Sequence, residues 1–321
     1  MQVDSQNDHI KSEDIMIKKL YTKVQLMKSN GVKSWSIVYK INKVIVNIIY
    51  PMVALFNRKV GIDENSNVIV SLTTYPARIK IVWVTIASLL NQTYKPAKVL
   101  LYLSREQFIN EFDDLPKNLI NLQKRGLEIR FVDGDLKPHK KYYYSFKDYQ
   151  DKYVITADDD IFYPENMIEE LVSASEKYPA EVVCTRSHKI RIIDINGNKV
   201  FAPYNSWTNN TTEEPDLLSL AVGCNGVLYR PILFDEEVFN VDSINKNSLY
   251  TDDLWLKAME IRNGIKTYNC SKEPLVYFDN IFTSGTGLWH VNADGDKNRN
   301  DEAWSKLVDA YPRLYDILGK L

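Results

Sequence analysis

The sequence predicts an α/β protein built on an open, mostly parallel sheet with helices on both faces. From about residue 67 onward, short β-branched apolar runs alternate with segments whose apolar residues recur at helical spacing. This alternation is typical of parallel strands joined by crossover helices. The segments before and after it lack strand character, so we expect helical additions at both ends of the sheet.

The elements succeed one another in a regular order. Ligands of such sheets bind beyond the carboxyl ends of the strands, so the residues just after each strand matter most for function. Strands are predicted at residues 67–73, 98–103, 127–132, 153–157 and 181–185. Helices are predicted at residues 79–91, from Pro164 with Glu165 in the first turn, at 251–261 and at 302–318, and residues 205–215 predict a polar loop.

Composition is that of an ordinary globular protein. The 321 residues are 45% hydrophobic and 26% charged, with a formal net charge of -2. That balance argues against a general nucleic-acid binder, which needs a basic excess. Cys184, Cys224 and Cys270 show neither zinc spacing nor a disulfide framework. The N-terminus lacks the charged-then-apolar order of a secretory signal, so we expect a cytoplasmic protein.

The N-terminal region mixes basic and apolar residues. Residues 33–59 combine Lys and Arg with Trp35 and many aliphatic side chains, a composition that can lie on an anionic membrane surface. A helix packed on the main domain fits the same pattern. The most apolar stretch, residues 44–56, is interrupted by Asn47 and Pro51, and its 13 residues are too few to span a bilayer as a helix.

Asp158, Asp159 and Asp160 stand together at the end of the predicted strand 153–157. Adjacent carboxylates repel one another, so a fold retains them where something positive neutralises them. A divalent cation such as Mg or Mn suits these ligands, and it could bind a diphosphate and stabilise charge on a leaving group. The alternative is an acidic turn before a helix N-terminus, where Asp is favoured in any case.

Residues 154–164, VITADDDIFYP, resemble the DxD segment of GT-A glycosyltransferases, particularly bacterial family-2-like enzymes of surface polysaccharide biosynthesis. The resemblance covers roughly residues 67–290. It implies a GT-A fold, a nucleoside-diphosphate sugar as donor, taken as UDP-linked by analogy, and Mn²⁺ or Mg²⁺. It also implies that Asp158 and Asp160 hold the metal and that Asp159 faces the donor. A late His is a further ligand in several GT-A families, a role that His290 would take unless it is structural.

Three more segments are similar to donor-contacting parts of that family. Residues 70–78 resemble its first nucleotide loop, and residues 133–142 resemble a loop in which an Asp and a Lys face the nucleotide. Residues 221–231 resemble the small-residue segment against the donor sugar, where glycine permits close approach. A polar turn, a solvated basic loop and a tight turn are the respective alternatives. The donor contacts implied are Thr73, Tyr75, Arg78, Asp133, Lys141, Gly223, Asn225 and Gly226.

Residues 251–255, TDDLW, look like the family's acidic pair at a helix start. The resemblance makes Asp253 the general base that takes a proton from the acceptor hydroxyl, with Asp252 positioning. Direct attack of that hydroxyl would invert the anomeric configuration. The alternative is a helix cap, with Thr251 or Asp252 at the N-cap. A retaining mechanism stays open if Asp253 is only a cap.

The chain departs from the family pattern in two places. Its second strand, residues 98–105, has no acid at its end, so base recognition is expected from Asp133 or Asp135 instead. The QxxRW-type segment is absent, so a processive synthase with a membrane channel is not expected.

The sequence is thus interpreted as a metal-dependent glycosyltransferase acting on a glycan or lipid-linked acceptor, in the cytoplasm or at the inner face of the cell membrane. One rival is a sugar-nucleotide nucleotidyltransferase, although residues 72–78 lack the glycine of its loop. A non-catalytic carbohydrate-binding protein is the other. The predicted domains are a helical, membrane-associating segment at 1–62, a GT-A catalytic domain at 63–279, and a loop and helix closing the site at 280–321.

Overall fold

A central β-sheet organises the molecule. The computed structural model describes residues 15–273, 275–283 and 298–316. In chain order its strands are β1 (Val68–Thr73), β2 (Lys98–Ser104), β3 (Leu127–Val132), β4 (Tyr153–Ala157), β5 (Ile161–Phe162), β6 (Val182–Cys184), β7 (Ser187–Lys189), β8 (Ile192–Ile195), β9 (Asn198–Phe201), β10 (Thr208–Asn210), β11 (Ser219–Ala221), β12 (Val227–Tyr229), β13 (Thr267–Asn269) and β14 (Phe278–Asp279).

Seven of these strands form the main sheet, in the order β13-β6-β12-β4-β1-β2-β3. All run parallel except β12, which is antiparallel to both of its neighbours. Leu72 at the end of β1 lies beside Ala157 at the end of β4. The residues directly after these two strands therefore emerge side by side at one edge of the sheet.

Helices cover both faces of this sheet, as predicted. In β1, Val70 belongs to one buried cluster and Ile69 to the other, which is the alternation expected of a strand buried on both faces. The described helices are α1 (Met16–Ser29), α2 (Trp35–Phe56), α3 (Val82–Leu89), α4 (Lys117–Asn121), α5 (Lys140–Asp148), α6 (Met167–Lys177), α7 (Val241–Asn247), α8 (Asp252–Asn263) and α9 (Arg299–Ala310).

Some predicted boundaries were wrong. Helix α6 begins at Met167 rather than at Pro164, with Glu169 and Glu170 as its first-turn acids. Residues 205–215 are not all loop, because they contain β10, which pairs with β7. The final helix α9 ends at Ala310, well before residue 318, and a short 3₁₀ turn comes after it.

Helix α2 runs unbroken for 22 residues through Asn47 and Pro51. By length and composition alone, this helix could cross a membrane. The expectation that the apolar stretch at residues 44–56 is too short to span a bilayer was therefore wrong, because the stretch is part of a longer helix. Asn47 does not interrupt the helix because its side chain points inward. Its Nδ2 donates to the Lys43 carbonyl at 2.9 Å and to the Asp279 carbonyl at 3.0 Å.

Candidate functional site

A cleft of about 860 Å³ opens where β1 and β4 end. The loop after β1, the aspartates after β4 and the start of α8 all contribute to its walls. This is the edge at which open parallel sheets bind their ligands, because the loops there are free to form a pocket. The sheet register thus brings distant predicted segments to one place.

Asp159 is the most enclosed carboxylate after β4, with 7% of the residue exposed. It accepts hydrogen bonds from the Thr74 hydroxyl and from the Arg78 guanidinium, both in the loop after β1. Arg78 also reaches Asp160 at 3.1 Å. Burial works to lower the pKa of Arg78, but the charges of Asp159 and Asp160 outweigh it and raise that pKa. The guanidinium therefore stays charged and holds two of the three aspartates.

Lys141, in the first turn of α5, neutralises the other side of the cleft. Its Nζ lies 2.7 Å from an oxygen of Asp158 and 2.9 Å from an oxygen of Asp252. Burial works to lower the pKa of Lys141, but Asp158, Asp252 and Asp253 outweigh burial and hold that pKa well above its usual value. One buried ammonium thus joins the aspartates of β4 to those of α8.

Asp253 points into the cleft from the first turn of α8. Its Oδ2 accepts a hydrogen bond of 3.1 Å from the Gly223 amide, which belongs to a different segment. The N-cap of α8 is Thr251, whose side chain makes no capping hydrogen bond. Asp252 and Asp253 are the acids of its first turn, as the capping alternative expects, and Asp253 also lines the cleft.

Gly223 leaves no room for a side chain. A Cβ at this position would lie 2.9 Å from Oδ1 of Asp253 and 3.2 Å from Nζ of Lys141. Contacts this close would displace one or both groups. The absence of a side chain at residue 223 is therefore a condition for the observed spacing of acid and ammonium.

The centre of the cleft carries more negative than positive charge. Burial, followed by the charge of Asp159, raises the pKa of Asp160 to about 7. Burial, followed by the charge of Asp252, raises the pKa of Asp253 to about 8. Burial is the first cause of both shifts, and the neighbouring carboxylates add to it. We call the five carboxylates the acidic cluster: Asp158, Asp159, Asp160, Asp252 and Asp253.

The acidic cluster suits a cation that is shared with a ligand. Among the described residues, no group of three or more His, Cys, Asp or Glu side chains is arranged to hold a metal ion. The side chains of Asp158 and Asp160 remain 32% and 22% exposed, so their oxygens can be reached from the cleft. Mg²⁺ is usually bound by one or two carboxylates together with substrate phosphates and water. The residues present fit a metal of that kind.

Other residues predicted for donor binding are spread more widely. Thr73 and Tyr75 line the cleft, and Thr73 donates its hydroxyl to the Tyr102 carbonyl at 2.8 Å. Asp133 lies elsewhere: it pairs with Arg105 at 3.0 Å and borders a separate hollow of about 550 Å³. Asp135 does line the cleft, between Lys137 and Lys140.

The segment after β11 contributes its backbone more than its side chains. Asn225 is fully buried. Its side-chain Nδ2 donates to the Leu275 carbonyl at 2.8 Å, and its Oδ1 accepts from the Tyr277 backbone amide at 3.2 Å. Gly226 adopts a positive φ of 91° and faces Met167 of α6. Both residues shape the turn that presents Gly223. His290 lies outside the described residues.

The residues predicted for the site leave out part of the cleft wall. Arg186, His188 and Tyr204 also line the cleft. The side chain of Arg186 donates to Sγ of Cys224 at 3.1 Å and to Oδ1 of Asn209 at 3.1 Å. Arg186 comes directly after a predicted strand, a position that could have marked it. Tyr204 carried no such signal, because it enters the cleft from a 3₁₀ turn.

Comparison with known proteins gives the family. The model of glycosyl transferase family 2 matches residues 70–233, just over half of the chain. No curated protein matches the sequence. A synthase of 4-diphosphocytidyl-2C-methyl-D-erythritol from Anaerococcus prevotii is 13% identical over 68% of this chain and 92% of its own, with a TM-score of 0.41. TarS 1–349 of S. aureus, solved with UDP-GlcNAc, is 17% identical over 78% of this chain and 72% of its own, with a TM-score of 0.37.

These structural similarities are too weak to support any conclusion about the reaction. The family match is a match of the sequence itself, over residues 70–233. It begins in β1, includes the aspartates after β4, and ends shortly after the turn that carries Gly223. The mostly parallel sheet with helices on both faces is the architecture that the GT-A resemblance implied. The chain belongs to glycosyl transferase family 2 and is a glycosyltransferase.

Proposed function

We propose that the protein transfers a sugar from a nucleoside-diphosphate sugar to a hydroxyl of a glycan or lipid-linked acceptor, in a metal-dependent, inverting reaction. The observation that carries this proposal is the acidic cluster with its two buried cations in a cleft of about 860 Å³. A cleft of this size holds a small-molecule ligand. We take UDP as the first nucleotide to test because of the family resemblance.

We assign the donor diphosphate to the side of the cleft that contains the loop after β1. Asp158 and Asp160 would hold Mn²⁺ or Mg²⁺ there, and the metal would neutralise charge on the departing diphosphate. Arg78 and Lys141 add fixed positive charge to the same region, where burial strengthens their effect. The backbone at Gly223 would let the donor sugar approach closely.

We assign the acceptor to the side of Asp253. Its carboxylate accepts the proton of the acceptor hydroxyl while that oxygen bonds to the anomeric carbon. The bond between the anomeric carbon and the diphosphate oxygen breaks in the same step, so the configuration inverts. The Gly223 amide fixes one oxygen of Asp253 at 3.1 Å, which leaves the other oxygen to take the proton. Asp252 positions Lys141 through their ion pair.

We place the enzyme in the cytoplasm, at the inner face of the cell membrane, where a lipid-linked acceptor would be met. Residues 33–59 supply the peripheral membrane contact in this proposal. The division into segments 1–62, 63–279 and 280–321 is part of the same proposal, with the catalytic domain in the middle segment.

Turnover of a panel of nucleotide sugars tests the proposed activity. With Mn²⁺ present, we expect one donor to release its nucleoside diphosphate, and we expect EDTA to stop the release. Asp158→Asn should lose most of this activity, whereas Asp113→Asn, an exposed control outside the cleft, should keep it. Release of pyrophosphate from a nucleoside triphosphate and a sugar phosphate would instead show a nucleotidyltransferase and refute the proposal.

A further inference from the structure

The outward face of α2 is an apolar stripe that the protein leaves uncovered. Its side chains recur at intervals of three and four residues, so they lie on one side of the helix. Each exposes between about half and two thirds of its surface. We call these residues the α2 stripe: Ile37 (60%), Ile41 (54%), Val44 (48%), Ile48 (58%), Met52 (61%) and Leu55 (50%).

The segment that carries this stripe has charged side chains of one sign only. Residues 15–60 contain nine Lys and Arg residues and no Asp or Glu, although the whole chain has a net charge of -2. Lys33 and Lys40 are exposed beside the stripe. A second copy of this chain would bring the same excess of positive charge, which does not complement the segment. An anionic surface complements the segment, and the apolar stripe requires that this surface also accept hydrocarbon.

The opposite face of α2 is fixed to the protein along its length. Val46 and Tyr50 are buried, and Lys43 pairs with Asp279 at 2.7 Å. The Asn47 side chain donates a hydrogen bond to the Asp279 carbonyl in β14 and accepts one from the Ile281 backbone amide at 2.9 Å. A helix held in this way cannot be surrounded by lipid. Such a helix can offer one face to a membrane without crossing it, although its length would allow crossing.

The same attachment brings α2 close to the cleft. Asp279, which binds Lys43, precedes Asn280, whose amide donates to the Asp160 carbonyl at 2.7 Å. Phe282, two residues further on, is 69% exposed, and Thr283 lines the cleft. The segment that holds α2 therefore also reaches the cleft.

We propose that α1 and α2, together the N-terminal hairpin, form an interfacial docking surface for an anionic lipid bilayer, which holds the mouth of the cleft at the membrane. This inference extends the membrane contact of the proposed function, and it rests on that function because a lipid-linked acceptor is part of it. The α2 stripe enters the boundary between headgroups and acyl chains, and the surrounding lysines contact lipid phosphates. Phe282 adds an aromatic anchor at the cleft side.

Vesicle flotation of the full chain tests this inference without any sugar nucleotide. We expect binding to vesicles of phosphatidylcholine with phosphatidylglycerol, weaker binding as salt is raised, and little binding to phosphatidylcholine alone. The double variant Ile41→Asp with Ile48→Asp should lose roughly tenfold or more of this binding, because it removes apolar contact and adds charge at the interface. Ile109→Asp is the matched control, since Ile109 is 81% exposed outside the N-terminal hairpin, and it should bind as the wild type does.

A charge reversal separates the electrostatic part. Lys33→Glu with Lys40→Glu should reduce binding to the anionic vesicles, and Lys117→Glu with Lys124→Glu, exposed on α4 and after it, should not. Equal binding to both vesicle types, or no loss in either hairpin variant, would overturn the inference. So would resistance to carbonate extraction, which indicates a spanning helix, or a dimer that Ile48→Asp dissociates in the absence of vesicles.

Sugar-nucleotide binding by the same hairpin variants distinguishes this inference from the proposed activity. We expect their donor binding to match the wild type, which also shows that they are folded. Vesicle binding without donor binding would leave the docking surface standing and refute the sugar-nucleotide proposal. Donor binding without vesicle binding would refute the docking surface and leave the sugar-nucleotide proposal standing.

Discussion

Asp253 combines partial burial, an orientation fixed by the Gly223 amide and a pKa that burial raises to about 8. We predict that Asp253→Asn lowers the transfer rate by about 10²–10⁴-fold, the usual contribution of a general base, and leaves donor binding unchanged. The amide keeps the volume of the carboxylate and an oxygen that can accept the Gly223 hydrogen bond. Steady-state transfer and donor calorimetry on the same preparation measure both quantities. A parallel loss of donor binding would show that Asp253 belongs to the donor site.

Gly223 offers a steric test of the same geometry. Gly223→Ala would place a methyl group 2.9 Å from Oδ1 of Asp253, so that oxygen or the backbone must move. We predict a loss of about 10²-fold in transfer, the order expected for a displaced catalytic group. Gly197→Ala is the control: its positive φ of 83° strains the backbone far from the cleft, where an added Cβ meets nothing. A Gly223→Ala enzyme as active as the wild type would contradict the proposed spacing.

His139 gives a prediction on acid stability. It is fully buried, its Nε2 lies 2.9 Å from the Ser248 carbonyl, and burial lowers its pKa from 6.5 to about 4. The unfolded state therefore binds the extra proton first. The neutral ring stabilises the fold fully above about pH 6.5, and this contribution falls by up to about 1.4 kcal/mol per pH unit as the pH drops toward 4.

Urea unfolding of His139→Gln at pH 7.5 and pH 5.5 isolates this contribution from the buried carboxylates. Gln can donate to the Ser248 carbonyl but does not titrate. We expect the wild type to lose more free energy of unfolding than the variant between the two pH values. The same pH dependence in both proteins would mean that His139 is not the responsible group.

The individual residues of the cleft were predictable where a sequence segment carried several polar side chains after a strand. This holds for Arg78, Asp158 and Asp160, which all line the cleft. The same resemblance named Asp133 and Asn225. The side chain of Asp133 lies outside the cleft, paired with Arg105, and that of Asn225 makes buried hydrogen bonds. The direction of a side chain in a loop depends on tertiary contacts that no local pattern contains.

At the scale of elements, Glu165 joins the N-terminal hairpin to the sheet. Only 1% exposed, it accepts hydrogen bonds from the Ile17 and Lys18 amides at 3.0 and 2.6 Å, and so caps the start of α1 from a distant segment. We predict that Glu165→Ala lowers the free energy of unfolding by about 2 kcal/mol, because two amides lose a charged partner. Chemical denaturation measures this loss.

Glu169→Ala is the matched control for that experiment. Glu169 is exposed and accepts one hydrogen bond from the Thr93 hydroxyl, so its removal should cost less than about 0.5 kcal/mol. Equal losses from the two substitutions would show that the cap of α1 contributes nothing specific.

The strands were more predictable than the helix ends. Residues 127–132 form a short run in which Glu and Arg alternate with apolar side chains, and the run matches β3 in both boundaries. The start of α6 was misplaced because Pro164 and Glu165 look like a first turn, whereas Glu165 instead caps α1. Long-range capping of this kind leaves no signal in the local sequence. The length of α2 was missed for a similar reason, since Asn47 finds its partners on β14.

At the scale of the whole molecule, charge is separated along the chain. Residues 15–60 carry a net +9, so a total of -2 leaves -11 for the rest. The acidic cluster is part of that remainder and lies at the carboxyl ends of β4 and β1. The basic, apolar surface proposed for lipid and the acidic cleft proposed for a metal-bound donor can therefore coexist in one nearly neutral chain.

In the proposed function, the acidic cluster binds a sugar nucleotide through a divalent cation. Calorimetric titration of a panel of nucleoside-diphosphate sugars, with and without Mn²⁺, tests it on the wild type, on Asp160→Ala and on the exposed control Asp113→Ala. We predict that one sugar nucleotide binds with Mn²⁺, that the wild type and Asp113→Ala behave alike, and that Asp160→Ala loses the metal-dependent part. Binding that ignores both Mn²⁺ and Asp160, or no binding of any sugar nucleotide, would contradict the account.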